Sequence, residues 1–146
     1  MSLSKSKVYF FYQGVKPGLQ DRTKLKKFIE LVFKKEGKRL LSINYIFCTD
    51  EALLEINKQF LKHDFYTDII TFDLSETADL TAEIYISIDR VRDNANTLGT
   101  SFKSELHRVI FHGVLHLCGY KDKTEIEKAK MRGKEDSYLL SYLKKR

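Results

Sequence analysis

The chain has 146 residues, of which 42% are apolar and 32% charged, and it includes ten Phe and eight Tyr. This length suits a single domain spanning residues 1–146 with its own core, and the apolar content excludes a disordered chain. Apolar runs all fall well short of the roughly 20 residues that cross a membrane. A short apolar run at residues 8–12 is followed by no small-residue cleavage site, so we expect a cytoplasmic protein with no signal peptide and no membrane partner.

The net charge of +6 is unevenly distributed along the chain. Residues 1–40 carry eleven Lys/Arg against three Asp/Glu, residues 121–146 carry nine against five, and residues 41–120 carry six against twelve. A basic periphery suits a polyanionic partner such as RNA, although a solvated basic surface has the same composition. The two cysteines, Cys48 and Cys118, have no paired spacing, which indicates reduced, buried thiols.

Apolar periodicity and turn residues predict the element order β-α-β-α-β-β-α-α-α. The predicted strands cover residues 8–12, 40–48, 68–74 and 82–88. The five helices begin after residues that can cap them, namely Asp21, Thr49, Asp89, Thr100 or Ser101, and Thr124. The last of these opens a capping box with Glu127. The third and fourth strands can pair as a hairpin across the loop at residues 75–81.

Three helices are expected to turn one apolar face to the core. These faces comprise Leu25, Phe28, Ile29, Val32 and Phe33; Leu53, Leu54, Ile56, Phe60 and Leu61; and Met131, Tyr138, Leu139, Tyr142 and Leu143. The fourth helix is apolar on nearly all sides at residues 109–115, which indicates a central buried helix. The predicted fold is therefore α/β, with a mixed four-stranded sheet and a buried helix lying across it.

The fourth helix carries His112 and His116, which lie one turn apart on the same face and can both reach one metal ion. Gly119 follows, where a positive φ can end the helix and bring Asp122 back towards the two rings. Two nitrogens and one carboxylate oxygen would leave the fourth position of a zinc ion open for water, as in catalytic zinc sites. Two core histidines bonded to backbone carbonyls are the plainer alternative.

The spacing H-x-x-x-H-x-x-G-x-x-D matches the zinc sites of metzincin proteases. Those enzymes need a glutamate directly after the first histidine as general base, and this chain has Gly113 there. The sequence therefore keeps the predicted metal ligands without the peptidase base, which counts against a protease.

The run FHGVLHLCGYKDK, preceded by YTDIITFDL, resembles the YbeY family of single-strand-specific metallo-endoribonucleases, whose hallmark is H-G-x-L-H-L-x-G-Y-D-H. Further similarity covers most of the chain, including Ile56-Asn57, the strand at residues 83–87, and Met131 with Glu135. The resemblance implies that His112 and His116 are ligands of one zinc ion and that Asp122 replaces the third histidine. His63 and Glu125 are the alternatives for that third position.

The chain also departs from the family pattern at two further positions. Leu61 stands where the family has an arginine taken to assist catalysis, and the adjacent Lys62 is the candidate to supply that charge. Glu83 stands in place of a strand aspartate and is the candidate proton acceptor if it faces the cleft. Cys118 and Tyr120 are expected to pack in the core, although Tyr120 could stack on a base.

The resemblance implies hydrolysis of single-stranded RNA in ribosome biogenesis, with maturation of the 3′ end of small-subunit ribosomal RNA and ribosome quality control as the processes. The implied partners are ribosomal RNA precursors and the small subunit or its assembly proteins. A ribosome-assembly factor with a mainly structural metal is the alternative from another class, and a metal-dependent hydrolase such as a peptidase is the third. The oligomeric state is left open.

Overall fold

The computed structural model describes residues 6–144. Its elements are β1 (Val8–Tyr12), α1 (Arg22–Lys35), β2 (Leu40–Cys48), α2 (Asp50–Leu61), β3 (Ile69–Asp73), β4 (Leu80–Ser87), α3 (Ile88–Leu98), α4 (Phe102–Leu117) and α5 (Glu125–Leu143). The sheet has the order β1-β2-β4-β3, with β1, β2 and β4 parallel and β3 antiparallel to β4. The predicted mixed four-stranded sheet and its hairpin are confirmed.

Two apolar clusters cover the two faces of the sheet. The larger cluster joins alternate residues of β2 and β4, such as Tyr45 and Ile84, to α1, α4 and α5. The smaller cluster packs Leu53 of α2 against Ile70 of β3 on the opposite face. Alternate side chains of a strand point to opposite faces, so β2, β3 and β4 each contribute to both clusters.

Helix α4 is the buried helix that the sequence predicted. Its inward side chains include Leu106, Ile110, Phe111 and Leu115, and the hydroxyl of Tyr45 donates to the Ile110 carbonyl at 3.2 Å. Each such apolar side chain stabilises the fold by roughly 1.5–3 kcal/mol when fully buried. The histidines at the end of α4 are therefore carried on a rigid element.

Helix caps agree with the sequence at four of the five helices. Asp21, Thr49, Ser101 and Thr124 each accept from a backbone N–H of the first turn, and the capping box with Glu127 is formed. The prediction that Asp89 caps α3 is wrong. Strand β4 passes directly into this helix, and Ser87 is the cap. The carboxylate of Asp89 instead accepts from the backbone N–H of Asp50, at the start of α2 (2.9 Å).

Three side chains expected in the core are exposed, namely Phe60 and Leu61 at the end of α2 and Leu143 at the end of α5. The ends of these two helices therefore carry apolar side chains that the core leaves partly uncovered. Within α2 the buried positions are Leu53 and Asn57. No helix among residues 6–144 has both the length and the apolar character of a membrane span.

Both cysteines are free, as their spacing indicated. Cys48 is buried and Cys118 is half-buried against the larger cluster. Burial raises the pKa of Cys48 to about 11 and that of Cys118 to about 12. Burial therefore favours the protonated form of both thiols.

Two helix glycines provide a test of how closely α4 packs on the sheet. A Cβ on Gly113 would lie 2.7 Å from Ile84 Cδ1 and 3.1 Å from Ile69 Cδ1, whereas a Cβ on Gly133 of α5 meets nothing within 4 Å. Gly133→Ala should stabilise the protein by about 1 kcal/mol through helix propensity. Gly113→Ala should lower stability, because overpacking costs about 1–3 kcal/mol and exceeds that gain. Urea unfolding of both variants measures the contrast, and equal stabilisation by both would contradict close packing at Gly113.

Candidate metal and RNA-cleavage site

The two helix histidines lie beside one another in a cavity of about 650 Å³ between α4, α5, β3 and the segment that follows α2. Their ring centroids are 6.1 Å apart and the rings are nearly parallel. His112 is half-buried, whereas His116 is exposed. The i, i+4 spacing on a helix is the physical reason that both rings face the cavity.

The glycine turn brings Asp122 to His112, as the spacing predicted. Helix α4 ends at Leu117, and Gly119 takes a φ of 105°, a conformation that L side chains rarely adopt. The Tyr120 backbone N–H then donates back to the Leu115 carbonyl at 3.0 Å. Asp122 Oδ2 lies 3.3 Å from His112 Nε2 and lines the same cavity.

The turn is fastened to α1 and α5 through Glu36. The Tyr120 hydroxyl donates to Glu36 Oε1 at 2.8 Å, and Tyr138 and Lys134 bond to Oε2. Burial acts to raise the pKa of Glu36, but these hydrogen bonds outweigh it and hold the pKa below its usual range. Tyr120 therefore packs as predicted and stabilises the turn that carries Asp122.

Glu135 of α5 is the residue that orients His112. His112 Nδ1 lies 2.6 Å from Glu135 Oε2, so we assign the Nδ1 proton to this bond, which leaves Nε2 facing Asp122. The glutamate side chain is 8% exposed and is held on its other oxygen by Arg108 Nη1 at 3.0 Å. Arg108 also donates to Asp136 at 2.6 Å.

The carboxylates around His112 raise the pKa of its ring. Burial acts to lower the pKa of His112, but the hydrogen bond and charge of Glu135, with the charges of Asp122 and Asp68, raise it above its usual range. Asp68 lies just before β3, lines the cavity, and accepts from Asn94 Nδ2 at 3.3 Å. Burial raises the pKa of Asp68.

Sequence reasoning assigned no role to Arg108, Glu135 or Asp68. Glu135 lies four residues after Met131 and three before Tyr138, on the inward face of α5, and a buried carboxylate needs a partner. That pattern was a signal for a functional or paired residue. Its partner Arg108 lies 27 residues away, and no local pattern connects the two.

The structure does not bring Glu83 to the site. Glu83 alternates with Ala82 and Ile84, which face α4, so its side chain lies on the opposite face of the sheet. There it accepts from the Tyr85 hydroxyl at 3.2 Å. The expectation that Glu83 faces the cleft is wrong.

Lys62 is likewise absent from the residues that line the cavity, although its neighbours Leu61 and His63 line it. Lys62 caps α2 with a φ of 60°, which turns the chain there. Of the two alternative third ligands, His63 lies in the cavity, whereas Glu125 is exposed outside it and pairs with Lys128 at 3.6 Å.

Comparison with known proteins identifies the family of the chain. A family model described as Endoribonuclease YbeY matches residues 16–143. The chain belongs to the YbeY endoribonuclease family. The resemblance seen in the sequence is thereby confirmed.

Individual relatives support the assignment over most of the chain. A protein of Cytophaga hutchinsonii named Endoribonuclease YbeY is 49% identical over 138 residues, which are 94% of this chain and 96% of that protein. One from Porphyromonas gingivalis with the same name is 44% identical over 135 residues, covering 92% and 89%. A Thermotoga maritima protein whose structure was determined in solution is similar with a TM-score of 0.64 and 28% identity, over 92% of this chain and 88% of that one.

The donor types of the site, two imidazoles and one carboxylate, fit zinc. Among residues 6–144 no three His, Cys, Asp or Glu side chains are close enough to hold an ion as placed. The 3.3 Å between His112 Nε2 and Asp122 Oδ2 nevertheless suits two ligands of one ion. Tetrahedral bonds of 2.0–2.1 Å separate such donors by about 3.4 Å. Zinc binding by His112, His116 and Asp122 stays a prediction.

The link between Arg108 and Glu135 can be measured as a coupling free energy. Arg108→Met leaves a buried carboxylate without its cation, and we expect a loss of roughly 3 kcal/mol in the free energy of unfolding. Adding Glu135→Gln should recover at least about 1 kcal/mol of that loss, because the uncompensated charge is removed. Chemical unfolding of the two single variants and the double variant in EDTA gives the coupling. Strictly additive losses would contradict the pairing.

Proposed function

We propose that this protein is a zinc-dependent endoribonuclease that cleaves single-stranded RNA in ribosome biogenesis, including maturation of the 3′ end of small-subunit ribosomal RNA and ribosome quality control. The observation that carries the proposal is the His112–Asp122 pair, backed by Glu135, in the cavity of a chain from an endoribonuclease family. Ribosomal RNA precursors would be the substrate, and the small subunit or its assembly proteins would be the partners.

Glu135 sets the geometry on which this chemistry depends. Its carboxylate fixes the ring of His112 and leaves Nε2 directed at Asp122, as a carboxylate behind a metal-bound histidine does. A zinc ion held by His112, His116 and Asp122 would polarise a phosphate oxygen and lower the pKa of a bound water.

Asp68 is the carboxylate we assign as proton acceptor, in place of Glu83. It lines the same cavity as His112, and the charge of each side chain acts on the pKa of the other. The hydrogen bond from Asn94 fixes one of its oxygens. A general base must lie within reach of the attacking water, and among the two candidates only Asp68 faces the cavity.

Cations on α5 are suited to hold the RNA backbone. Lys128 and Arg132 are exposed and line the cavity. The pair between Lys128 and Glu125 is solvent-exposed and contributes little, so the ammonium group is available to a phosphate. Arg108 is already engaged by Glu135 and Asp136 and serves to position Glu135.

A ribosome-assembly factor with a mainly structural metal and little nuclease activity is the second candidate. It is favoured by Leu61, which places an apolar side chain in the cavity where the family pattern has an arginine. A peptidase is disfavoured, since a glutamate at Gly113 would have its Cβ against Ile84 and Ile69 and would face the sheet.

Metal content and nuclease activity can be tested together. Wild type should bind about one zinc per chain and cleave single-stranded RNA, and the chelator-treated protein should not. His116→Ala and Asp122→Ala should lose both metal and activity. Glu125→Gln is the matched control, since this carboxylate is 93% exposed and lies outside the cavity.

Metal analysis by mass spectrometry and cleavage of a fluorescent RNA give the two measurements. Cleavage that survives both chelator and His116→Ala would point to a contaminating nuclease. Full zinc binding without cleavage would favour the assembly factor.

The two carboxylate candidates are separated by a matched pair of substitutions. Asp68→Asn should lower kcat about 100-fold or more, the usual effect of removing a general base. Glu83→Gln should leave kcat within about twofold, because its side chain lies on the other face of the sheet. Single-turnover cleavage measures both, with zinc content as the control for site integrity. A large loss in Glu83→Gln alone would restore the original assignment.

A further inference from the structure

Two aromatic rings stack at the rim of the cavity, on the segment between α2 and β3. The rings of His63 and Phe65 have centroids 5.0 Å apart and planes inclined by 21°. Both residues line the cavity. Phe65 remains 55% exposed despite this contact, so the pair presents open aromatic surface beside the candidate site.

The backbone of this segment is fixed by a buried amide. Asn57 of α2 is 1% exposed, and its Nδ2 donates to the Phe65 carbonyl at 2.8 Å. The Asn57 carbonyl accepts from the His63 backbone N–H at 3.1 Å. One residue of α2 therefore holds both ends of the stacked pair, which lowers the entropy that a ligand would lose on binding there.

The surroundings of the pair indicate the class of ligand. Exposed aromatic surface at a cavity favours a flat, apolar partner. The same cavity is lined by the cations Lys128 and Arg132, which suit phosphate. A flat ring joined to phosphates is a nucleotide, so the combination matches an RNA strand better than an apolar peptide.

We propose that His63 and Phe65 form a stacking platform for one unpaired base of the RNA, next to the phosphate that Lys128 and Arg132 hold. This inference rests on the proposed nuclease function and adds a binding subsite to it. A base inside a duplex has both faces covered and cannot stack on protein, so the platform selects single strands. Because every base has an aromatic face, the selection is tolerant of sequence.

The platform is tested with a single-stranded RNA that carries one 2-aminopurine, whose fluorescence falls when the base stacks. Phe65→Leu keeps an apolar side chain and removes the ring, and we expect its Kd for this RNA, measured without added metal, to rise roughly 10-fold. Fluorescence quenching on binding should be lost as well. In cleavage assays KM should rise by a similar factor while kcat changes little. Phe65→Tyr keeps an aromatic ring at this position, and its Kd and quenching should match those of the wild type.

Phe60→Leu is the matched control. Phe60 is 62% exposed near the end of α2, but it packs against Phe72 and does not line the cavity. This variant should bind, quench and cleave as wild type does.

Several outcomes would overturn the platform. Unchanged Kd and quenching in Phe65→Leu would leave the nuclease proposal intact and assign the aromatic surface to a protein partner instead. Equal losses in Phe65→Leu and Phe60→Leu would show a diffuse apolar effect and also reject it. A wild-type protein that neither binds nor cleaves the RNA would overturn the nuclease proposal and the platform together.

Discussion

The contact between His112 and Glu135 is the interaction on which the site depends. It joins α4 to α5 through a 2.6 Å bond at a carboxylate that is almost wholly buried. Removing a carboxylate from water costs several kcal/mol unless it is paired and hydrogen-bonded, and Arg108 and the imidazole supply both. The orientation of His112 is therefore linked to the packing of Met131 and Tyr138, which seat α5 on the core. The site is built only when these two helices dock.

Gly113 shows how packing restricts the chemistry that this helix can carry. It faces Ile84 and Ile69, so α4 lies close to the sheet at the turn between the two histidines. A protease base at this position would be directed into the apolar core instead of the cavity. In the sequence, the lack of a glutamate at this position indicated that the protease base is missing. The structure adds a reason, because the side chain of this residue would meet the sheet. Close contact with the sheet and a base on that face exclude one another.

Local patterns predicted most of the elements, because helix caps, periodicity and the i, i+4 geometry depend on neighbours in the chain. The position of Asp122 beside His112 was also predictable from the local sequence, because Gly119 makes the turn within five residues of His116. The Arg108–Glu135 pair was not predictable in this way, because it depends on how two helices dock. The error at Glu83 was avoidable. Its neighbours Ala82 and Ile84 are apolar and alternate with it, which already placed its side chain opposite the core.

The distribution of charge in the cavity supports the proposal that a metal ion takes part in the reaction. Its lining includes four carboxylates, Asp68, Glu105, Asp122 and Glu135, against three cations, Arg108, Lys128 and Arg132. The more deeply buried positions are mainly acidic, whereas the two α5 cations are exposed. A phosphate drawn in by those cations would meet like charge beside His112, where a low dielectric strengthens the repulsion. A divalent ion between His112 and Asp122 would reverse the sign of that interaction, which is consistent with the proposed metal-assisted reaction.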